Sequence, residues 1–329
     1  MKKKFWYGIL LLLLIFALTQ LDLSQMLRSL AEISARTIIV LIALQVFTQL
    51  LLNMQWFQVA KFSKVNASFW QMLHINCQGC VVDSITPGVK VGGEVTRALQ
   101  ISRLTGCSGG QAAAVVAVQK LFSLSAFFIV NIFAVLYVMR HSLLAVSDAL
   151  SFLVMGILAV LLLSMIFILI FPQRLLDILS KRESGVCGAK RLKLIVFVRN
   201  MLEGLVLYRK NKSALILQLV LSFSVWLLYP VKLYLLTMQA YPDASLVFLG
   251  AVTFASYLVA MLPIFPGGLG GFEAAMAGLL LAGGFMQGDA VAFAVIFRFF
   301  TFWFVMFLSL GYIGLSKLFV QKRIVPAAN

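Results

Sequence analysis

Acidic residues are scarce in this chain: 11 Asp and Glu stand against 27 Lys and Arg in 329 residues, a formal net charge of +16. His74 and His141 are the only histidines, and there are four cysteines. No Ser/His/Asp arrangement, Walker A loop or Rossmann fingerprint occurs, which leaves no hydrolytic triad and no nucleotide-powered motor. Cys77-x-x-Cys80, with His74 three residues earlier, invites a metal or redox reading. It lacks a second ligand pair and lies in apolar sequence, so small buried thiols are expected, with no metal and no cofactor. Also missing is any polar stretch long enough to fold around a core of its own.

Apolar sequence is what the chain has in plenty. Hydrophobic residues make up 62%, with a mean hydropathy of +1.02, whereas soluble domains are about half apolar. Such a chain needs lipid as its solvent. The basic residues sit in short segments flanking the apolar runs, the pattern of positive-inside topology and of contact with anionic lipid heads, not of nucleic-acid binding. A multi-pass protein of the cell's inner (plasma) membrane is expected. Lys2-Lys3-Lys4 and the run from Phe5 to Leu18 have the form of a signal peptide, but no small-x-small site follows at Thr19–Ser24, which predicts a retained first span.

Six runs are long enough to cross a bilayer: about Phe5–Leu21, Ile38–Ala60, Gln111–Val138, Leu150–Phe171, Leu215–Met238 and Ala290–Leu318. Ser68–Val82 is apolar but too short, since a span needs about 20 residues. A Gly/Pro loop, Asp83–Gly93, and a polar amphipathic stretch, Glu94–Arg103, follow it. Ala244–Leu262 is long enough to cross by itself but runs into a Gly/Pro segment and a short helix, Phe272–Leu281. Residues 173–212 are basic, with Leu194, Phe197, Val198, Met201, Leu205 and Val206 at helical spacing, which predicts an amphipathic helix on the cytoplasmic face.

The positive-inside rule places both termini, residues 61–64 and residues 173–212 in the cytoplasm. Residues 65–106 then begin and end inside, as a re-entrant hairpin. Residues 244–288 begin and end outside, as a hairpin from the opposite face. The tips resemble each other: Thr86-Pro-Gly-Val-Lys-Val-Gly-Gly-Glu94 and Phe265-Pro-Gly-Gly-Leu-Gly-Gly-Phe-Glu273. Each has seven residues from Pro to Glu, and each Glu is followed by a base in the next long helix, Lys120 after 26 residues and Arg298 after 25. The offset of 179 residues also carries the second span onto Leu215–Met238. The expected fold is an all-α polytopic membrane protein with an inverted-topology repeat: about six spanning helices plus two re-entrant Gly/Pro-broken hairpins. Residues 1–141 form the first repeat. Residues 148–329 form the second, with the insertion at 173–212.

Intramembrane ions are costly, about 2.5–3.5 kcal/mol each at the bilayer centre, and mark functional sites. The candidate substrate site takes Pro87, Gly88, Gly92, Gly93, Glu94, Arg97 and Lys120 from the first half, with Pro266, Gly267, Gly268, Gly270, Gly271, Glu273 and Arg298 from the second. Arg and Lys suit a phosphate, Glu an amine or a proton, and glycine-rich tips offer N–H groups to anions. Salt bridges that merely hold the hairpins are the plainer reading. Asp83 is a secondary candidate, Lys232 is expected to snorkel near the end of its span, and the aromatic cluster Phe297–Phe304 is expected to pack.

The run Pro266-Gly-Gly-Leu-Gly-Gly-Phe-Glu273, the Gly-rich helix after it, Arg298 and Pro87-Gly-x-x-x-Gly-Gly-Glu94 resemble the lysylphosphatidylglycerol synthase transmembrane family, also called flippase-like or UPF0104, over nearly the whole chain. The resemblance implies the lipid-translocating half of that architecture without the soluble aminoacyl-transferase domain, and so no enzyme. It implies an anionic or aminoacylated phospholipid, or a polyprenyl-phosphate lipid, as cargo. The chain departs from the pattern at Phe272, where Arg before Glu273 is expected. A membrane-embedded transferase acting on lipid heads, and a subunit presenting lipid to a partner enzyme docked on residues 173–212, are the other readings.

Overall fold

The computed structural model describes residues 33–86, 91–141, 148–183, 189–262 and 268–324. The span expected at Phe5–Leu21, both termini and the outermost tip residues Pro87, Gly88, Pro266 and Gly267 lie outside the described residues. Those described are helical, with no strand among them. In chain order the helices are α1 (Ala35–Phe62), α2 (Phe69–Ile85), α3 (Val91–Thr105), α4 (Gly109–Arg140), α5 (Asp148–Ile170) and α6 (Pro172–Glu183). There follow α7 (Ala189–Lys210), α8 (Lys212–Thr237), α9 (Leu246–Ala260), α10 (Gly271–Ala282) and α11 (Gln287–Arg298). A π turn (Phe299–Trp303) then runs into α12 (Phe304–Ile324).

Five helical stretches are long and apolar enough to cross a membrane: Ala35–Phe62, Gly109–Arg140, Ala149–Ile170, Lys212–Thr237 and Gln287–Ser316. The chain is an all-α polytopic membrane protein. Helices start where short polar side chains satisfy their first N–H groups. Ser34 accepts from Thr37 N, Asn211 from Ala214 N and Ser245 from Phe248 N. Ser68 with Gln71, and Ser108 with Gln111, form full capping boxes.

The hairpin limbs are short. Helix α9 has 15 residues, about 22 Å at 1.5 Å per residue. That is less than a hydrocarbon core of about 30 Å, so the run at Ala244–Leu262 does not make a full crossing helix. The limb α2 runs three residues beyond Val82, which puts Asp83 and Ser84 inside a helix, while Gly92, Gly93 and Glu94 open α3. Where a loop is expected over Asp83–Gly93, residues 83–85 and 91–93 are helical.

Packing follows a paired pattern. α1 lies along α8. The first limb of each hairpin packs on a long helix of the other half, α2 on α12 and α9 on α4. The second limb packs on the long helix that follows it, α3 on α4 and α10 on α11. Two large apolar cores result. One gathers Trp56, Met72, Ile75, Ile101, Val118 and Phe122 around the first hairpin. The other gathers Leu233, Phe248, Leu249, Met276, Leu280 and Phe297 around the second. The basic segment forms two helices, α6 and α7, where one was expected. α7 is docked into the bundle: Leu202, Leu205 and Tyr208 join the first core, with Tyr208 against Phe62 and Phe122.

Candidate functional site: two paired hairpins

The first hairpin is built around close backbone approach. A Cβ on Gly93 would overlap the Asp83 carboxylate and the Gly79 carbonyl, and one on Gly79 would lie 2.6 Å from the Arg97 Nε. Glycine at both positions lets α2 and α3 meet with an ion pair between them. Arg97 Nη1 donates to Asp83 Oδ2 at 3.0 Å, and Gly93 N donates to Asp83 Oδ1 at 2.9 Å. The guanidinium lies 5.5 Å from the Trp56 ring centre. Both side chains are about nine-tenths buried. The N–H that a glycine-rich tip was expected to offer a ligand at Gly93 is taken by the chain's own carboxylate. One turn away, Glu94 Oε1 accepts from Lys120 Nζ of α4 at 2.6 Å, and here the side chains keep 26% and 28% of their exposure.

In the second hairpin Gly268 and Gly270 have φ of +71° and +80°, a region that L side chains enter at a cost. Gly268 also lies so close to Ala260 that an added Cβ would meet its carbonyl at 3.0 Å. The glycines turn the chain into α10, whose start is held by Glu273: its Oε2 accepts from Gly270 N at 2.7 Å. Glu273 Oε1 stands 3.5 Å from Arg298 Nε. The Arg298 guanidinium is sandwiched, 4.8 Å from the Phe272 ring and 4.4 Å from Phe302. The π turn begins directly after it, and such turns occur often at functional sites.

The family model for the lysylphosphatidylglycerol synthase transmembrane region matches residues 5–309. The chain belongs to that family. It is similar to a UPF0104 membrane protein of Pyrococcus horikoshii, 24% identical over 287 residues that cover 82% of this chain and 83% of the relative. It is also similar to one of Methanocaldococcus jannaschii, 21% identical over 321 residues that cover 95% and 93%.

Within this family architecture the structure brings together Glu94 with Lys120 and Glu273 with Arg298, and puts Arg97 with Asp83. Asp83 thus stands at the centre of the first hairpin, not at its margin. Gly92 lies against Thr86, where a Cβ would be 2.6 Å from the hydroxyl, and Gly271 opens α10. Phe272, at the position where Arg is expected, is fully buried and supplies one face of the Arg298 sandwich, stacked over Phe297 at 6.0 Å. Phe302 belongs to the site for the same reason, beyond packing alone.

Lys232 does not snorkel. It is 1% exposed, and its Nζ donates to Gln45 Oε1 at 2.6 Å and Thr48 Oγ1 at 2.8 Å on α1, with the Tyr229 ring 4.5 Å away. A head turned inward to these acceptors satisfies the ammonium better than a short reach along an apolar surface. A second buried polar junction joins three helices, with Gln55 donating to Ser222 at 2.5 Å and accepting from Gln119 at 3.1 Å. No motif in the sequence marks it; only Gln and Ser inside apolar runs hint at it. α8 also packs against α11, the helix that ends at Arg298. His74 is engaged with Gln78 at 2.9 Å.

Proposed function

We propose that this membrane protein moves a lipid with a charged, phosphate-bearing head group between leaflets, and that the Glu94–Lys120 and Glu273–Arg298 pairs serve one polar cavity between two oppositely inserted hairpins. The observation that carries this reading is the matched placing of the two pairs. Each joins the first turn of a hairpin's second limb to the following long helix, and in each the carboxylate stays partly open, Glu94 at 26% and Glu273 at 21% of its exposure against 9% for Asp83, while Arg298 itself is buried. Carboxylates left partly open at membrane depth are a cost without a use unless a polar ligand visits them. A phosphate would meet Arg298 and Lys120, and an amine would meet the carboxylates.

The paired packing of the limbs supports the inverted repeat. Its test is cysteine accessibility in intact cells. Position 329 and residues of α6 and α7 should label only from the cytoplasm, and positions flanking Gly88 and Gly267 should label from neither side. Labelling of residue 329 from outside would sink the two-hairpin topology.

Movement itself is tested by leaflet-resolved lipid labelling in vesicles containing the purified chain. A rise over protein-free vesicles is expected for an aminoacylated or polyprenyl-phosphate lipid and not for a neutral glyceride. No rise with any charged head group would favour a subunit that presents lipid to a partner enzyme.

A further inference from the structure

Away from both hairpins, at the basic end of the bundle, a cavity of about 320 Å³ opens between the end of α1, the start of α4 and the helices α6 and α7. Its polar wall is formed by Ser63, Lys64, Gln111, Gln173, Asn200 and Glu203. A cation and an anion thus border the same space, and among the described residues no ion pair joins them. Ser63 Oγ is buried there without a hydrogen-bond partner, a state that costs about 1–3 kcal/mol when nothing fills it. Lys64 closes α1 in the left-handed conformation, φ +56°, with Val65 N donating to Ala60 O at 2.9 Å, and this turn sets its side chain at the rim of the cavity. Two glycines fit the walls to each other. A Cβ on Gly204 would stand 3.3 Å from Ser63 Oγ, and one on Gly110 would stand 3.2 Å from Asn200 Nδ2.

We infer that this cavity is a second binding site, for a small zwitterion carrying a primary amine and an anionic group. The amine meets Glu203, the anion meets Lys64 and the Ser63 hydroxyl, and the three side-chain amides bridge to both ends of the ligand. At about 320 Å³ the volume stands at the lower end of small-molecule sites, which suits a molecule the size of an amino acid or phosphoethanolamine. The same chemistry is available as a free solute or as a lipid head group. None of the hairpin ions takes part, so the site stands or falls independently of lipid movement.

The test uses the full chain purified in detergent, with binding of O-phosphoethanolamine and of free lysine followed by titration calorimetry. Saturable binding of at least one is expected, weakened about tenfold or more by Lys64→Met and by Glu203→Gln, since each loses a charge-assisted hydrogen bond. Both residues are exposed, so both variants should keep the native melting temperature. Gly204→Leu, which fills the cavity, should abolish binding. If that variant does not fold, the two charge variants decide alone. In nanodiscs, occupation by a lipid head group shows as loss of probe binding in phosphatidylethanolamine but not in phosphatidylglycerol, and a free solute shows as equal binding in both. The inference is overturned if neither zwitterion binds in detergent or in phosphatidylglycerol nanodiscs, or if binding is indifferent to both Lys64→Met and Glu203→Gln.

Discussion

Arg298→Ala is expected to abolish lipid movement and to lower stability as well. The guanidinium is 5% exposed, lies between two aromatic faces and stands beside Glu273. Its removal leaves a carboxylate in a low-dielectric site, and breaking a buried pair from one side costs about 3–5 kcal/mol. Loss of activity alone would therefore prove nothing about mechanism. The deciding variant is the uncharged pair, Glu273→Gln with Arg298→Met. The Gln amide oxygen can still accept from Gly270 N, so the start of α10 keeps its cap, and the Met side chain fills the slot between Phe272 and Phe302. Stability should return to near the native value, while translocation should not, because the contact for phosphate is gone. Arg298→Lys refines the point. A compact ammonium keeps the charge but not the planar stack, so the fold should survive with movement reduced at least tenfold. The measurements are vesicle translocation and thermal unfolding on the same preparations. Recovery of translocation by the uncharged pair would remove Arg298 and Glu273 from the mechanism.

What could be read ahead of the structure was set by local spacing. Hydropathy runs gave five of the six expected spans within a few residues, and the sixth lies outside the described residues. Glu94 with Lys120, and Glu273 with Arg298, were legible because the same motif recurs at one offset. Asp83 with Arg97 was not, since the pairing depends on α2 continuing past Val82 as a helix. A polar residue beside a Gly/Pro run reads as loop, and the close approach of α3 to that turn, which Gly79 and Gly93 permit, belongs to the tertiary structure. Lys232 shows the other limit. Its acceptors Gln45 and Thr48 are 187 and 184 residues away, so nothing near it in sequence tells an inward head from an outward one. Phe272 looked like a lost charge because the contact it makes, a ring face under Arg298, belongs to the tertiary structure alone.

The contrast between the two ion pairs of the first hairpin yields the other large expected effect. Asp83 and Arg97 are about nine-tenths buried, and the carboxylate also receives the Gly93 N–H. Glu94 and Lys120, on adjacent turns, keep over a quarter of their exposure. If burial separates structure from use, their variants should fail in different ways. Asp83→Asn leaves Arg97 charged in a closed site under Trp56, and should cost about 3–5 kcal/mol, seen as a large drop in melting temperature and poor recovery from the membrane. Gly93→Ala should act in the same direction, since its methyl would press on the Asp83 carboxylate and the Gly79 carbonyl, an overpacking of about 1–3 kcal/mol. Glu94→Gln removes a pair that water can reach, and pairs of that kind contribute about 0–1 kcal/mol. Its melting temperature should stay close to native while translocation falls at least tenfold, and Lys120→Met should match it. Thermal unfolding in detergent and translocation in vesicles separate the outcomes. Should Glu94→Gln move lipid at the native rate, the first hairpin would be a structural counterpart of the second, and the head-group site would belong to Arg298 and its surroundings alone.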